Sequence, residues 1–179
     1  HAINKGFSHS SGQIMGWLNS DDILEPGALF HIAEAFKHND DLLVVTGFRR
    51  VYNKKGDFVA NWIRDLPTNY YLTHYCCVAQ ETTYWNRKIW DELGPLDEQM
   101  QYAMDYEYWH RILAAGYHFR LIPHYVGGFR DHPENKTSTM RATFEKEASI
   151  IYQRYNIAFN EEEALSELGA DWWSKHNLI

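Results

Sequence analysis

The chain has 179 residues, 45% hydrophobic and 23% charged. That is the composition of a folded domain; it excludes wholesale disorder, and the length suits one ordinary domain rather than two. A formal net charge of −7 excludes broad electrostatic attraction to nucleic acid or to an anionic membrane. Along the chain, His1 to Ser11 reads as the end of a helix, with Ile3 and Phe7 on one face and Gly12 as its stop. Ile14 to Leu18 is a short run of buried-strand type, ending in the polar loop Asn19-Ser20-Asp21-Asp22. Pro26-Gly27 opens a helix whose apolar positions Leu29, Ile32, Ala33 and Phe36 follow helical spacing. Leu42 to Val45 reads as a second buried strand. Phe48–Tyr52 and Phe58–Trp62 flank Asn53-Lys54-Lys55-Gly56-Asp57 as a hairpin, and Leu66 to Cys77 reads as irregular.

The second half continues the alternation. Thr82 to Trp85 suggests a strand, and Asn86 can cap a short helix running to Leu93. Gly94-Pro95-Leu96-Asp97 is loop. Asp105 to Ala115 is a helix with Gly116 just past its end. Phe119–Ile122 and Tyr125–Phe129 read as two strands. The pattern is helical from about Thr139, with a further helix from Asn160. The order implies an α/β fold, a mixed sheet flanked by helices with a helical C-terminal tail. Cys76 and Cys77 are adjacent, which gives neither a disulfide framework nor a metal-binding pair. Asn135-Lys136-Thr137 is a glycosylation sequon by pattern only.

Three places carry candidate chemistry. Asn19-Ser20-Asp21-Asp22 follows a buried strand directly, where ligands sit in open α/β sheets. Adjacent carboxylates repel unless a cation or helix end compensates, and hard oxygen ligands suit Mg²⁺ or Mn²⁺. Equally, Asp21 or Asp22 can simply cap the helix near Pro26. Asp105 is either an ordinary helix cap or a general base; the positive helix end lowers its pKa, whereas burial among Tyr102, Tyr106 and Trp109 offsets that. In Phe129-Arg130-Asp131-His132-Pro133, Arg130 or His132 can meet a diphosphate, or His132 a metal, and the alternative is a solvated surface turn. No P-loop, Gly-x-Ser-x-Gly, Gly-x-Gly-x-x-Gly or zinc spacing is present, which speaks against NTPase, serine hydrolase and dinucleotide oxidoreductase classes.

Taken in order, these segments resemble the family 2 glycosyltransferases of GT-A (Rossmann-like) fold. Ala2-Ile3-Asn4-Lys5-Gly6-Phe7 is similar to the helix before the family's central strand, and Gly12 to Leu29 to its strand, Asp-x-Asp metal loop and following helix, with Asn19 where the first Asp stands. Gln80-Glu81-Thr82-Thr83-Tyr84 with Arg87, then Gly94 to Glu98, resembles the acceptor-side segment. Met104-Asp105-Tyr106 with Trp109 and Arg111 resembles the stretch bearing the catalytic Asp, and Phe129 to Pro133 with Lys136-Thr137 the closing segment. The resemblance covers about residues 1–140. It divides the chain into 1–138, the C-terminal part of such a catalytic domain, and 139–179, a helical extension.

The resemblance implies a metal-dependent, inverting transfer of a sugar from a nucleotide-diphospho-sugar to the hydroxyl of a carbohydrate or lipid-linked glycan, in polysaccharide synthesis. It implies Asp105 as the base; Asp21, Asp22 and His132 at the metal; Asn4, Asn19 and Arg130 at the donor; and Gln80, Thr82, Tyr84 and Trp109 at the acceptor. No nucleic-acid partner is expected, and the location implied is cytoplasmic, including the inner membrane face. The family's strands for the nucleotide base are expected before His1, so weak donor binding, little activity and self-association through an exposed sheet edge are expected of this chain alone. A non-catalytic sugar-binding or assembly module derived from such an enzyme is the other reading. A metal-dependent hydrolase would need an opposing carboxylate or a two-metal cluster, which the sequence does not suggest.

Overall fold

A computed structural model describes residues 1–37, 44–63 and 78–157. The irregular stretch ending at Cys77, the cysteine pair and the helix expected from Asn160 lie outside them. The described elements are α1 (Ala2–Ser8), β1 (Ile14–Met15), β2 (Ile23–Leu24), α2 (Ala28–Lys37), β3 (Val44–Tyr52), β4 (Phe58–Trp62), a 3₁₀ turn (Gln80–Thr82), β5 (Thr83–Asn86), α3 (Arg87–Leu93), α4 (Met104–Ala114), β6 (Phe119–Arg130), α5 (Lys136–Thr139) and α6 (Arg141–Arg154). The six strands form one sheet in the order β1-β5-β3-β6-β2, with β4 beside β3. Only β3 and β6 run parallel; every other pairing is antiparallel, so the sheet is mixed as expected. None of the described helices is long and apolar enough to cross a membrane.

β3 is the organising strand. One edge runs along β6; the other is shared, with β5 pairing Val44–Thr46 and β4 pairing Arg49–Tyr52. Its β-branched start suits a pleated, doubly covered position, and alternate side chains enter opposite layers. Val44 joins Phe7, Trp85, Ile89, Tyr108, Trp109, Ile112 and Phe119 under α1, α3 and α4. Val45 joins Ala28, Ile32, Tyr84, Ile122 and Val126 under α2. Met100, Ala103, Tyr106 and Ile151 form a third cluster that seats α6 on the start of α4.

Most local signals act as expected. Asn53 Oδ1 accepts the Lys55 and Asp57 amides at 2.9 and 3.0 Å and closes the β3–β4 hairpin. Asn86 accepts the Lys88 amide at 2.9 Å and caps α3. Gly116, at φ +87°, ends α4 in a conformation that L side chains disfavour. Asn135 of the sequon is buried, its side chain donating to the Arg130 carbonyl and accepting the His132 amide, which fits the reading that the sequon is only a pattern.

Four expectations are corrected. The apolar run Ile14–Leu18 is a strand only over Ile14–Met15. α4 begins at Met104, with Ala103 at its N-cap, so Asp105 is inside the helix and not its cap. The buried stripe of α2 is Ala28 and Ile32 with Ala35 and Phe36 against it, whereas Leu29 and Ala33 face outward. The two strands expected on either side of Pro123 are one, β6. Proline contributes no amide hydrogen to a ladder, and the pairing with β3 shifts register across Thr46–Arg49, opposite that segment, before resuming.

Candidate active site

Arg49 and Arg50 are consecutive on β3 and therefore face opposite layers. A charged pair inside a strand that begins Val-Val-Thr requires partners once buried, and each arginine has a buried glutamate and an aromatic neighbour. Arg49 grips Glu81 with Nε at 2.6 Å from Oε1 and Nη2 at 3.3 Å from Oε2, its guanidinium lying over Trp62 and Phe129 at 4.3 and 4.8 Å. Arg50 donates to Glu25 at 2.7 Å, Tyr52 donates to the same carboxylate at 2.5 Å, and the Arg50 guanidinium lies over Tyr125 at 4.6 Å. Gly127 and Gly128 of β6 pair with Arg49 and Arg50. A Cβ on Gly127 would come within 2.6 Å of the Glu81 carbonyl oxygen, and one on Gly128 within 2.6 Å of Ile23 Cγ1. Hydrogen in place of a side chain thus lets the Glu81 turn press on one face and the Ile23 segment on the other.

The Arg49 side carries Glu81, with Asp22 and Asp105 near it. Glu81, 3% exposed, sits close enough to Asp22 and Asp105 for its charge to raise both. Asp105 keeps partial solvent exposure. Its carboxyl is pushed up to about 6, chiefly by burial, with Glu81 adding to the rise and the Tyr106 amide, its own amide and Arg49 opposing it. Asp22 is buried and also pushed up to about 6, by burial first and then by Glu81; the Arg130 amide and the Asn19 side chain work against the shift.

The loop before Asp22 is tied inward. Asn19 Nδ2 donates to Asp22 Oδ2 at 3.2 Å and to Gln80 Oε1 at 3.0 Å, and Gln80 Nε2 donates to the Trp17 carbonyl at 2.6 Å. Asp22 Oδ1 accepts the Arg130 amide at 3.2 Å. Asp21 turns the other way, half-exposed, with Oδ2 3.2 Å from His132 Nε2. His132 Nδ1 lies 3.0 Å from Glu134, which Lys54 holds at 2.8 Å. Adjacent carboxylates do point apart here. Asp21 and His132 converge as two donors, while the oxygens of Asp22 already accept hydrogen bonds. Among the described residues no three His, Cys, Asp or Glu side chains form a metal-holding group. Two protein donors still suit a cation that takes its remaining ligands from a diphosphate and water.

The other expected site residues divide. Arg130 stands beside Asp22, its Nε buried without a hydrogen-bond partner among the described residues. Asn4 has a structural partner set, donating to Leu96 O and Glu98 Oε1 at 2.9 Å each and accepting the Leu96 amide at 3.0 Å; it docks α1 on that loop. Gln80 joins the Asn19 network. The three remaining acceptor-side residues are interior. Thr82 Oγ1 bonds Ala79 O at 2.9 Å, Tyr84 packs under α2, and Trp109 is fully buried, stacked on Trp17 at 6.2 Å. Tyr84 and Trp109 belong to the two core layers, and the Thr82 hydroxyl is shared between Ala79 O and Thr46 Oγ1.

Sequence reasoning passed over Arg49, Glu81 and two further anchors. Glu107, 1% exposed, is held by Arg111, by Arg154 at 3.0 Å and by the Tyr155 hydroxyl at 2.7 Å. Glu147 of α6 accepts the Gln101, Tyr102 and Ala103 amides at 2.8, 3.0 and 2.7 Å and fixes the turn into α4. The Arg49-Arg50 pair within a strand pattern was the available signal for the first cluster; nothing local marks Glu147.

The model of glycosyl transferase family 2 matches residues 1–94, and the chain belongs to that family. An uncharacterized glycosyltransferase of Rickettsia felis is 25% identical over 181 residues, which cover 92% of this chain and 28% of the relative. The chain therefore spans less than a third of that protein. Among solved structures, S. aureus TarS aligns at 13% identity and a TM-score of 0.48 over 98% of this chain and 30% of TarS. A structure of TarS 1-349 in complex with UDP aligns with the same identity and score, over 98% of this chain and 50% of that one.

Proposed function

We propose that the protein to which this chain belongs is an inverting glycosyltransferase that moves a sugar from a nucleotide-diphospho-sugar to a hydroxyl of a carbohydrate or lipid-linked glycan, with Asp105 as general base. The observation that carries this reading is Asp105 itself: a half-buried carboxylate that, among the described residues, accepts only backbone amides and is pushed up to about 6. A base is most effective when its pKa lies near the working pH, and an ordinary aspartate is too weak. Asp105 takes the proton from the acceptor hydroxyl as its oxygen bonds to the anomeric carbon. The sugar–phosphate bond breaks, its electron pair leaves with the nucleoside diphosphate, and attack opposite that bond inverts the centre.

Arg130, with its unpartnered Nε, suits the charge of the diphosphate. Asp21 and His132 would hold Mg²⁺ or Mn²⁺, which when bound neutralises charge on the leaving diphosphate. Asp22 then serves the site from behind, tying the Asn19–Asp22 loop to the end of β6. The test is Asp105→Asn in the intact protein, with Mn²⁺ and a panel of nucleotide-sugars. Release of nucleoside diphosphate is lost while calorimetric donor binding persists; transfer near the wild-type rate overturns the assignment. Donor binding with no turnover in the wild type would favour a non-catalytic sugar-binding module instead.

A further inference from the structure

α4 has no cap of its own. Its N-cap position, where Ser, Thr, Asp or Asn would take up free amides, is Ala103, 1% exposed and packed with Met100, Tyr106 and Ile151. The acceptor comes instead from α6, 44 positions later. Glu147 places Oε1 on the Gln101 amide at 2.8 Å and Oε2 on the Tyr102 and Ala103 amides at 3.0 and 2.7 Å. At 6% exposure that carboxylate has given up most of its water, and bonds from amides to an ionised carboxylate are strong ones. The helix begins on the residue so held: the Ala103 carbonyl accepts the Glu107 amide at 2.9 Å. Asp105 lies inside that turn, midway between the two residues that close it.

α6 also holds the far side of the turn. Ile151 packs in one cluster with Tyr106, whose ring stands edge-on to Tyr152 at 6.4 Å. Arg154 and the Tyr155 hydroxyl reach Glu107 at 3.0 and 2.7 Å. Residues on both sides of Asp105 are thus fastened to one helix. A local cap at position 103 would start α4 without help; a cap borrowed from α6 makes the place of Asp105 depend on how α6 is seated. A group that accepts a proton in a transition state must be held within about 0.5 Å of its productive position. We infer that Glu147 is a positioning residue for the transfer: from α6 it supplies the cap that α4 lacks, and so sets the backbone from which Asp105 meets the acceptor hydroxyl. The inference rests on the reading of Asp105 as the base and deepens it.

The experiment compares the intact protein with its Glu147→Gln variant, in which one acceptor oxygen is replaced by an N–H₂ group facing backbone donors. The first readout needs no ligand. Hydrogen exchange at the Glu107 amide is expected to quicken about tenfold, the scale of a lost helix cap. The second is nucleoside diphosphate release from the panel of nucleotide-sugars with Mn²⁺, divided by the donor sites that calorimetry counts. Turnover per site is expected to fall roughly 10- to 100-fold, the cost of a base misplaced by up to about 1 Å, with donor affinity unchanged. Counting sites removes the molecules that a merely structural defect would unfold. Turnover per site near the wild-type value, unchanged exchange at Glu107, or an equal loss of donor binding overturns the inference. For a Gln variant that does not fold, Glu147→Asp withdraws the carboxylate by one methylene: a smaller loss of turnover per site supports the assignment, and a wild-type value overturns it. Asp105→Asn separates the two readings. If that variant stays active, or the wild type does not turn over, the function reading fails. An inactive Asp105→Asn beside a fully active Glu147→Gln sinks this inference alone.

Discussion

Asp105 and Glu107 stand two residues apart on α4, and their surroundings differ in kind. Glu107 is 1% exposed and faces two arginines and a tyrosine hydroxyl, from its own helix and from α6 and its end. Both of its oxygens accept from these donors. Among the described residues Asp105 accepts only backbone amides, and it keeps part of its surface open. Both are acids on one short helix, but one is a clasp and the other a group held short of partners. Full satisfaction of a buried carboxylate makes it structural; incomplete satisfaction raises its proton affinity and leaves it available for chemistry.

The sharpest way to break the contrast is to neutralise each acid in turn. Asp105→Asn is expected to lower transfer by about 10²- to 10⁴-fold, the range a general base contributes, measured as nucleoside diphosphate release in the intact protein. Glu107→Gln is expected to cost about 3 kcal/mol of stability in denaturant unfolding. That is the low end for a broken buried pair, because Arg154 and Arg111 keep some solvent contact. The same change at Asp105 has the opposite sign. Its folded carboxyl sits near 6 against 3.8 unfolded, so the folded state holds the proton more tightly. That stabilisation is complete below about pH 4 and is lost as pH rises through about 6. At pH 7 the Asn variant is therefore expected to be more stable by about 2 kcal/mol, after allowing for a lost charge at the helix start, and the gap closes on acidification. The smallest effect is Tyr155→Phe, which removes one of several donors to Glu107 and is expected to cost about 1 kcal/mol.

How much of this could be read beforehand follows from the range of each interaction. The hairpin at Asn53, the cap at Asn86 and the stop at Gly116 are satisfied within four residues, and the chain announces them. The strand through Pro123 was missed because its ladder is completed by β3, more than seventy positions earlier, which no local pattern reports. The burial of Thr82, Tyr84 and Trp109 was hidden for a related reason. Gln80–Tyr84 carries polar and aromatic residues, and the turn is folded inward between β3 and β6, a placement that no local pattern reports. At the candidate site the sequence marked Asp21, Asp22, Arg130 and His132 as one neighbourhood, and Asp21 with His132 and Asp22 with Arg130 do meet. Glu81 remained hidden because its partner, Arg49, lies 32 positions earlier on β3.

The glycine pair of β6 has a consequence for how the site keeps its dimensions. Gly127 and Gly128 lie between the Glu81 turn on one face and the Ile23 segment behind Asp21-Asp22 on the other. β2 is the ladder neighbour of β6, with Ile23 opposite Gly128 and Leu24 opposite Gly127, and from β2 only the Ile23 side chain covers the glycine face. Side chains rattle among rotamers and tolerate replacement; a peptide plane does neither. A methyl group at Gly127 would push against the Glu81 turn and one at Gly128 against the Ile23 and Tyr52 side chains, so neither neighbour could keep its present seat on the strand.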